Sequence, residues 1–159
     1  MAEWTAHVIT VSDGVHGGSR RDESGDVLAR MLGEEGAGVS RSVVPDERAR
    51  ISDAIRAAAS TARLVVTTGG TGLGPRDVTP EATLDVLDRS APGLVHLMLA
   101  RGLEATPMAA LSRAAAGTAG GALVINLPGS PRGAAENLTA LLPVLPHALD
   151  LVAGDTEHR

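Results

Sequence analysis

The stretch TTGGTGLGPRDVTP, residues 67–80, guides the interpretation of the whole chain. It follows an apolar run at 64–67 that predicts a buried strand, and it ends in a threonine and a proline that predict the cap and first turn of a helix. Glycines let backbone amides approach an anion without a Cβ atom in the way, and successive amides can enclose one. The stretch therefore predicts a phosphate site formed by Thr68, Gly69, Gly70, Thr71, Gly72 and Arg76. The alternative is an ordinary flexible loop.

Two common phosphate-binding motifs do not fit this glycine loop. A Walker A loop needs Lys and then Ser or Thr where this chain has Pro75 and Arg76. A dinucleotide fingerprint fails because Pro75 breaks the pattern begun by Gly70 and Gly72. A nicotinamide-dependent oxidoreductase is disfavoured for this reason.

Two acidic residues follow predicted strands and are candidates for one metal site. Asp77 would be unusual in a loop that binds only anions, but a divalent cation can bridge a carboxylate to a phosphate. Asp46 follows the predicted strand 39–44, and the alternative is that it caps the helix predicted over 47–59. Two carboxylates beside one phosphate are typical of bound magnesium.

The order of predicted elements indicates the fold class. Predicted strands at 7–11, 39–44, 64–67 and 123–127 alternate with predicted helices at 24–35, 47–59, 134–142 and 145–152, and further helices open at Thr79-Pro80 and at Pro92. This alternation predicts an α/β fold with a mostly parallel sheet and helices on both faces. No linker or repeat interrupts the chain, so we expect one domain over 1–159. Ligands of such folds bind at the carboxyl ends of the strands, which are the loops 12–24, 45–46, 68–79 and 128–130.

Other polar residues fall in these loops or near them. Ser12 and Asp13 end the first strand, and the 22–25 segment caps the next helix, with Ser24 favoured as the cap. Asn126 and the amides around Gly129 could bind a heterocycle edge or a phosphate, or could simply form a tight turn into a helix. Ser112 and its neighbour Arg113 could add a hydroxyl and a cation, although alone they look like an ordinary loop.

Composition excludes several classes of function. The formal net charge of −5 argues against nucleic acid as the main partner. The absence of cysteine excludes thiolate catalysis and cysteine metal sites, and the absence of lysine excludes a lysine phosphate anchor. The five histidines show no metal-ligand spacing, so we expect them to be structural or solvated. Residues 1–11 carry no signal-peptide pattern and no run reaches the length of a membrane span, so we expect no membrane association and a cytoplasmic protein.

Taken in order, these segments resemble the MoaB/Mog family, which includes the G domain of gephyrin. The matching pieces are TVSD (10–13), DESG (22–25), VPDE (44–47), TGGTG (68–72) with PRDVTPEAT (75–83), APG (91–93), LSR (111–113) and INLPGS (125–130). The resemblance implies a three-layer α/β fold, molybdopterin and ATP as substrates, magnesium, and a homo-oligomer, commonly a trimer with a hexamer as the alternative. It implies transfer of AMP to the molybdopterin phosphate with release of pyrophosphate.

The resemblance also implies roles for particular residues. The two adenylation carboxylates and magnesium ligands fall on Asp46 and Asp77, and the nucleotide loop falls on 69–72. The pterin contacts fall on Ser12, Asp13, Ser112, Asn126, Gly129 and Ser130. The loop between Ser12 and Ser24 is rich in Gly and Arg here, and loops at this place vary across the family. The alternative function is a non-catalytic molybdopterin-binding or scaffold protein of the same fold.

Overall fold

A six-stranded mixed sheet organises residues 4–156, the part of the chain that this computed structural model describes. The strands are β1 (Trp4–Val11), β2 (Ala37–Val44), β3 (Leu64–Thr68), β4 (Arg89–Ser90), β5 (Ala116–Ala119) and β6 (Ala122–Leu127). Their order is β2-β1-β3-β6-β5-β4, and β2, β1, β3 and β6 run parallel. The predicted mostly parallel α/β sheet is confirmed.

The sequence analysis missed the two strands that close one side of the sheet. β5 runs antiparallel to β6, and β4 runs antiparallel to β5. β4 has only two residues, and β5 reads AGTA, in which Thr118 is the single residue of a type favoured in strands. Their pairing partners, rather than their own composition, make them strands.

Seven α-helices and one 3-10 helix connect the strands within residues 4–156. The α-helices are α1 (Asp13–His16), α2 (Glu23–Glu34), α3 (Arg48–Ala59), α4 (Thr79–Leu84), α5 (Pro92–Ala105), α6 (Pro131–Leu141) and α7 (Leu145–Val152), and the 3-10 helix spans Pro107–Leu111. In this described part of the chain, no helix is both long and apolar enough to cross a membrane. His158, one of the histidines considered above, lies outside the described residues.

Two apolar cores cover the two faces of the sheet. Val8, with Leu28 of α2 and Leu138 of α6, belongs to one core, while the next residue, Ile9, belongs to the other with Ile51 of α3. Successive strand residues point to opposite faces, so burial on both sides explains the nearly continuous apolar strands. Helices on both faces are confirmed, and the carboxyl ends of four parallel strands reach one edge together.

The 22–25 segment caps α2 as predicted, but Ser24, Asp46 and Thr79, which the sequence offered as individual caps, do not cap a helix. The Asp22 side chain, and not Ser24, accepts the hydrogen bond from the Gly25 amide at the start of α2. Asp46 lies one residue before the N-cap of α3, which is Glu47, and no side chain caps that helix. Thr79 is the first residue of α4, and its buried hydroxyl donates instead to the Gly69 carbonyl at 2.9 Å. The side chains of Asp46 and Thr79 therefore make hydrogen bonds to the loops that follow the strands and do not cap helices.

Candidate functional site

A polar cavity of about 610 Å³ opens at the carboxyl edge of the parallel strands. Each of the four strands contributes to its wall through the residues that follow or end it: Thr10 and Ser12 for β1, Asp46 for β2, Thr68, Gly69 and Gly70 for β3, and Gly129 and Ser130 for β6. Asp77 completes this wall from the far side of the glycine loop. The loops that the sequence predicted to bind ligand therefore do meet in one place.

A second, mainly apolar cavity of about 300 Å³ lies on the other side of the glycine loop. Its wall comes from α5, the 3-10 helix and α6, with Val95, Met98, Leu99, Met108 and Leu111 among the apolar residues. Thr71, Gly72 and Ser112 line it too, and Ser130 lines both cavities. The two cavities are neighbours, and Ser130 stands at their junction.

The glycine loop presents free amides between the two cavities. Gly69 and Gly70 have φ values of 104° and 70°, a conformation that favours glycine. Among residues 4–156, no acceptor takes the amides of Gly70, Thr71 and Gly72, whereas the Gly69 amide donates to the Leu127 carbonyl at 3.2 Å. Three adjacent amides without an acceptor are the kind of donors from which an anion-binding loop is formed.

Asp46 and Asp77 flank these amides. A Cβ atom on Gly70 would lie 3.1 Å from Asp46 Oδ1, and one on Gly72 would lie 3.0 Å from Asp77 Oδ2. Asp46 Oδ2 accepts from the Asp13 amide at 2.9 Å, and Asp77 Oδ2 accepts from the Gly74 amide at 2.9 Å. Within the described residues, Oδ1 of each carboxylate has no hydrogen-bond donor.

Asp13 is hydrogen-bonded to Asp46 and lines neither cavity. Its Oδ1 accepts from the Asp46 amide at 3.0 Å, so the two residues exchange hydrogen bonds. Arg76 closes the group, with Nε 3.0 Å from Asp13 Oδ2 and Nη2 2.9 Å from Asp13 Oδ1. The predicted phosphate donor Arg76 is therefore paired with Asp13, at the side of the site and with its side chain 61% exposed.

The surroundings raise the pKa of the Asp46 carboxyl and lower the pKa of the Asp13 carboxyl. Burial raises the pKa of the Asp46 carboxyl, and the nearby Asp13 and Asp77 carboxylates raise it further. The hydrogen bond from the Asp46 amide, together with Arg76, lowers the pKa of Asp13. A partly buried carboxylate that is crowded by other carboxylates is stabilised by a cation.

The two carboxylates Asp46 and Asp77 suit a magnesium ion, which also takes ligands from water and substrate, better than a metal held by protein side chains alone. Within residues 4–156 no group of three or more His, Cys, Asp or Glu side chains could hold a metal ion. Magnesium usually takes one or two carboxylates and completes its shell with water and substrate phosphates. Asp46 and Asp77, each with one oxygen free of hydrogen bonds, fit that pattern.

The remaining predicted residues divide into three groups. Ser12 and Ser130 line the polar cavity and cap α1 and α6, so their oxygens accept amides while their hydroxyl protons stay available. Thr68 donates to the Pro128 carbonyl at 2.7 Å and holds the strand ends together. Asn126 is fully buried and contacts neither cavity, so its predicted role as a pterin contact does not fit the structure.

Asp22 and Arg113 shape this site through contacts that the sequence did not indicate. Asp22 accepts from the Thr10 hydroxyl and from Arg41, which fixes the start of α2 against the cavity. Arg113 binds the back of the glycine loop through several carbonyls. The LSR segment drew attention to Arg113, but only the folded chain shows which way it points.

Comparison with known proteins identifies a matching family and several relatives. The model of a family described as a probable molybdopterin binding domain matches residues 7–147. A Helicobacter pylori protein named molybdopterin adenylyltransferase is 38% identical over 153 residues, which cover 93% of this chain and 87% of that protein. The Drosophila melanogaster molybdenum cofactor synthesis protein cinnamon is 38% identical over 98% of this chain, but the chain spans only 26% of its length.

Solved structures agree with the sequence relatives. The Thermus thermophilus molybdopterin biosynthesis enzyme MoaB has 49% identity and a TM-score of 0.89, with 95% of this chain and 97% of that chain covered. The Mog protein of Mycobacterium ulcerans has 38% identity and the same TM-score of 0.89, with 94% and 99% covered.

Proposed function

Because the chain belongs to the MoaB/Mog family of molybdopterin-binding domains, we propose that it transfers AMP from ATP to the phosphate of molybdopterin. The observation that carries the proposal is the placement of Asp46 and Asp77 on either side of three free loop amides. This arrangement supplies both the cation ligands and the anion donors that phosphoryl chemistry needs. The H. pylori relative bears the name of this activity.

The two cavities suggest how the substrates are divided. The apolar cavity suits a planar heterocycle, with the Ser112 and Ser130 hydroxyls as polar contacts on its wall. The polar cavity suits phosphates, with Ser12, Gly129 and the loop amides on its wall. Ser130 is the N-cap of α6, and the positive end of the helix dipole favours a phosphate where the two cavities meet.

The reaction needs alignment and charge neutralisation rather than a covalent enzyme intermediate. An oxygen of the pterin phosphate attacks the α-phosphorus of ATP, the bond to the β-phosphate oxygen breaks, and pyrophosphate leaves. The amides of Gly70, Thr71 and Gly72 would hold the phosphates in line, because donors in a fixed array need no reorganisation. When bound, magnesium would be held by Asp46 and Asp77 and would neutralise charge on the ATP phosphates.

The test is adenylation by the purified protein, with molybdopterin, ATP and magnesium supplied and both AMP-pterin and pyrophosphate quantified. Asp46→Asn and Asp77→Asn should each lower turnover by about 10²–10³-fold, the scale for loss of one group that stabilises transition-state charge. Asp53→Asn is the matched control, since Asp53 pairs with Arg56 on the exposed face of α3.

The outcomes separate the candidate functions. Product that is lost in both variants and kept in the control supports the enzyme. Tight molybdopterin binding by the wild-type chain without any product would refute adenylation and leave the non-catalytic binding protein. Neither binding nor product would mean that the family likeness extends to the fold alone.

We further propose that residues 1–159 act as one domain in a cytoplasmic homotrimer, with a hexamer as the alternative. Large apolar side chains exposed on α5, the 3-10 helix and its end support self-association, namely Leu97, Leu103, Met108 and Leu111. Light scattering after size-exclusion chromatography gives the subunit number, and a monomer at micromolar concentration would refute the oligomer.

A further inference from the structure

We propose that Arg113 is a positioning residue that keeps the glycine loop in its anion-binding form and aims the Asp77 carboxylate into the site. The catalytic consequence of this inference rests on the proposed function, whereas the structural consequence does not. Arg113 lies between the 3-10 helix and β5, on the side of the loop away from the polar cavity.

Arg113 is bonded to the loop at three carbonyls. Its own amide donates to the Thr71 carbonyl at 2.8 Å. Its Nε donates to the Gly72 carbonyl at 2.7 Å, and its Nη2 donates to the Asp77 carbonyl at 2.7 Å. One residue therefore joins the glycine-rich part of the loop to the peptide that carries the second carboxylate.

The direction of these bonds matters for anion binding. A peptide that points its amide towards a phosphate points its carbonyl the other way, and a carbonyl that turned inward would repel the anion. The guanidinium holds the Gly72 and Asp77 carbonyls on the outer side, and its planar fork suits two acceptors at fixed positions. The Thr71 carbonyl shares a peptide with the Gly72 amide, so the Arg113 amide that binds this carbonyl turns the Gly72 amide the other way. The guanidinium fixes the two following peptides, which start at Gly72 and at Asp77, and so holds the end of the donor segment and the residue that carries the second carboxylate.

Glu81 completes the anchor. Arg113 Nη1 donates to Glu81 Oε1, and this hydrogen bond lowers the pKa of the Glu81 carboxyl. Only 35% of each side chain is exposed, and Glu81 Oε2 is buried with no hydrogen-bond partner among the described residues. Glu81 neutralises Arg113 locally and leaves it bound to the loop rather than free to act as a phosphate ligand.

The anchor is itself fixed to the sheet. The amide of Ala115, two residues after Arg113, donates to the fully buried Asn126 side chain at 3.0 Å. The Asn126 amide in turn donates to the Ala115 carbonyl at 3.0 Å. Through this connection the rigid β6 strand sets the position of the glycine loop.

The test compares the ligand-free wild-type protein with Arg113→Lys, because lysine keeps the charge but not the planar fork. Hydrogen exchange should become about tenfold faster at the loop amides that have an acceptor among the described residues, since a lost hydrogen bond to a charged donor weakens local protection by at least that factor. These are the amides of Gly69, Gly74, Asp77 and Thr79. Peptides covering β1 and α2 should exchange as in the wild type. Arg48→Lys is the matched control, because Arg48 also makes a two-point ion pair, with Asp85, away from the loop.

A second measurement links the anchor to catalysis. In Arg113→Ala the turnover number should fall by about 10²-fold, and added ethylguanidinium should restore part of it. Rescue of this kind requires a folded site that lacks only the guanidinium, so a general loss of structure would not produce it.

The outcomes are distinct. Unchanged loop exchange in Arg113→Lys, or a turnover in Arg113→Ala equal to that of the wild type, would overturn the proposal. Faster loop exchange in a wild-type protein that makes no AMP-pterin would refute the proposed function and still support the structural role of Arg113. If Arg113→Lys does not fold, Glu81→Gln supplies the same comparison, because it removes the charge that holds Nη1, and it should also speed loop exchange.

Discussion

Replacing Asn126 with alanine should destabilise the fold without removing a ligand contact. The Asn126 Nδ2 group donates to the hydroxyls of Thr67 at 3.0 Å and Thr83 at 2.9 Å, and its Oδ1 accepts from the Ala115 amide at 3.0 Å. The residue has no exposed surface. The Thr67 hydroxyl and the Ala115 amide would therefore lose their partner inside the protein, and the Thr83 hydroxyl would keep only its bond to the Thr79 carbonyl.

The magnitude follows from these three bonds. A buried hydrogen bond contributes about 1 kcal/mol net, and a buried group left without a partner costs about 1–3 kcal/mol. We expect the free energy of unfolding to fall by about 3–5 kcal/mol, which lowers the melting temperature of a chain of this size by about 10–15 °C. The mutant should bind molybdopterin as the wild type does, once the fraction of folded protein is taken into account.

The assay is urea unfolding followed by far-ultraviolet circular dichroism at 25 °C, alongside pterin titration. Asn137→Ala is the matched control for the unfolding measurement alone, since Asn137 makes no side-chain hydrogen bond with the described residues but lines the apolar cavity proposed for the pterin. Its loss should change stability by less than about 1 kcal/mol. A stable Asn126→Ala protein that no longer binds pterin would refute the argument and restore Asn126 as a ligand contact.

Three further predictions concern positions outside the site. Gly117→Ala should lower the urea midpoint of unfolding, because the added Cβ atom would overlap the Arg89 carbonyl and push β4 off the sheet. Gly33→Ala on α2 is the control, since its Cβ atom meets no neighbour and should not lower the midpoint. Burial lowers the pKa of His7, so the unfolded chain binds more protons at this residue than the folded chain does. The free energy of unfolding should therefore fall as the pH drops from about 7 to 5. In urea titrations His7→Gln should make the free energy of unfolding less dependent on pH over this range. Arg48→Gln should cost less than about 1 kcal/mol in the same assay, because its ion pair with Asp85 is exposed, and a larger loss would contradict that reasoning.

Local patterns were sufficient for the parallel part of the fold. β3 and β6 are apolar runs, β1 contains one, and β2 shows the alternation of a less buried strand. Helices follow or separate these strands along the chain. The antiparallel strands β4 and β5 could not be found in this way, because pairing of β5 with β6 and of β4 with β5, and not their composition, makes them strands.

Helix caps were less predictable than helices. Ser24, Asp46 and Thr79 are all good capping residues by type, yet none of them caps a helix. A cap depends on where the chain enters the helix, and that entry is set by the position of the preceding strand end. Because α3 starts one residue later than expected, its N-cap is Glu47, and Asp46 lies on the wall of the polar cavity instead.

The sequence by itself determined the fold class and the family, and it predicted a phosphate loop with Asp46 and Asp77, because each of these depends on residues that are close along the chain or follow a strand end. Only the tertiary structure decided that Asp13 holds Asp46 and Arg76, that Asn126 is a buried structural residue, and that Arg113 binds the loop from behind. The physical reason is that a hydrogen bond forms only where donor and acceptor lie at the right distance and point towards each other. A sequence shows which donors and acceptors are present, but the partner of each one is chosen by distant segments that the fold brings within hydrogen-bonding distance.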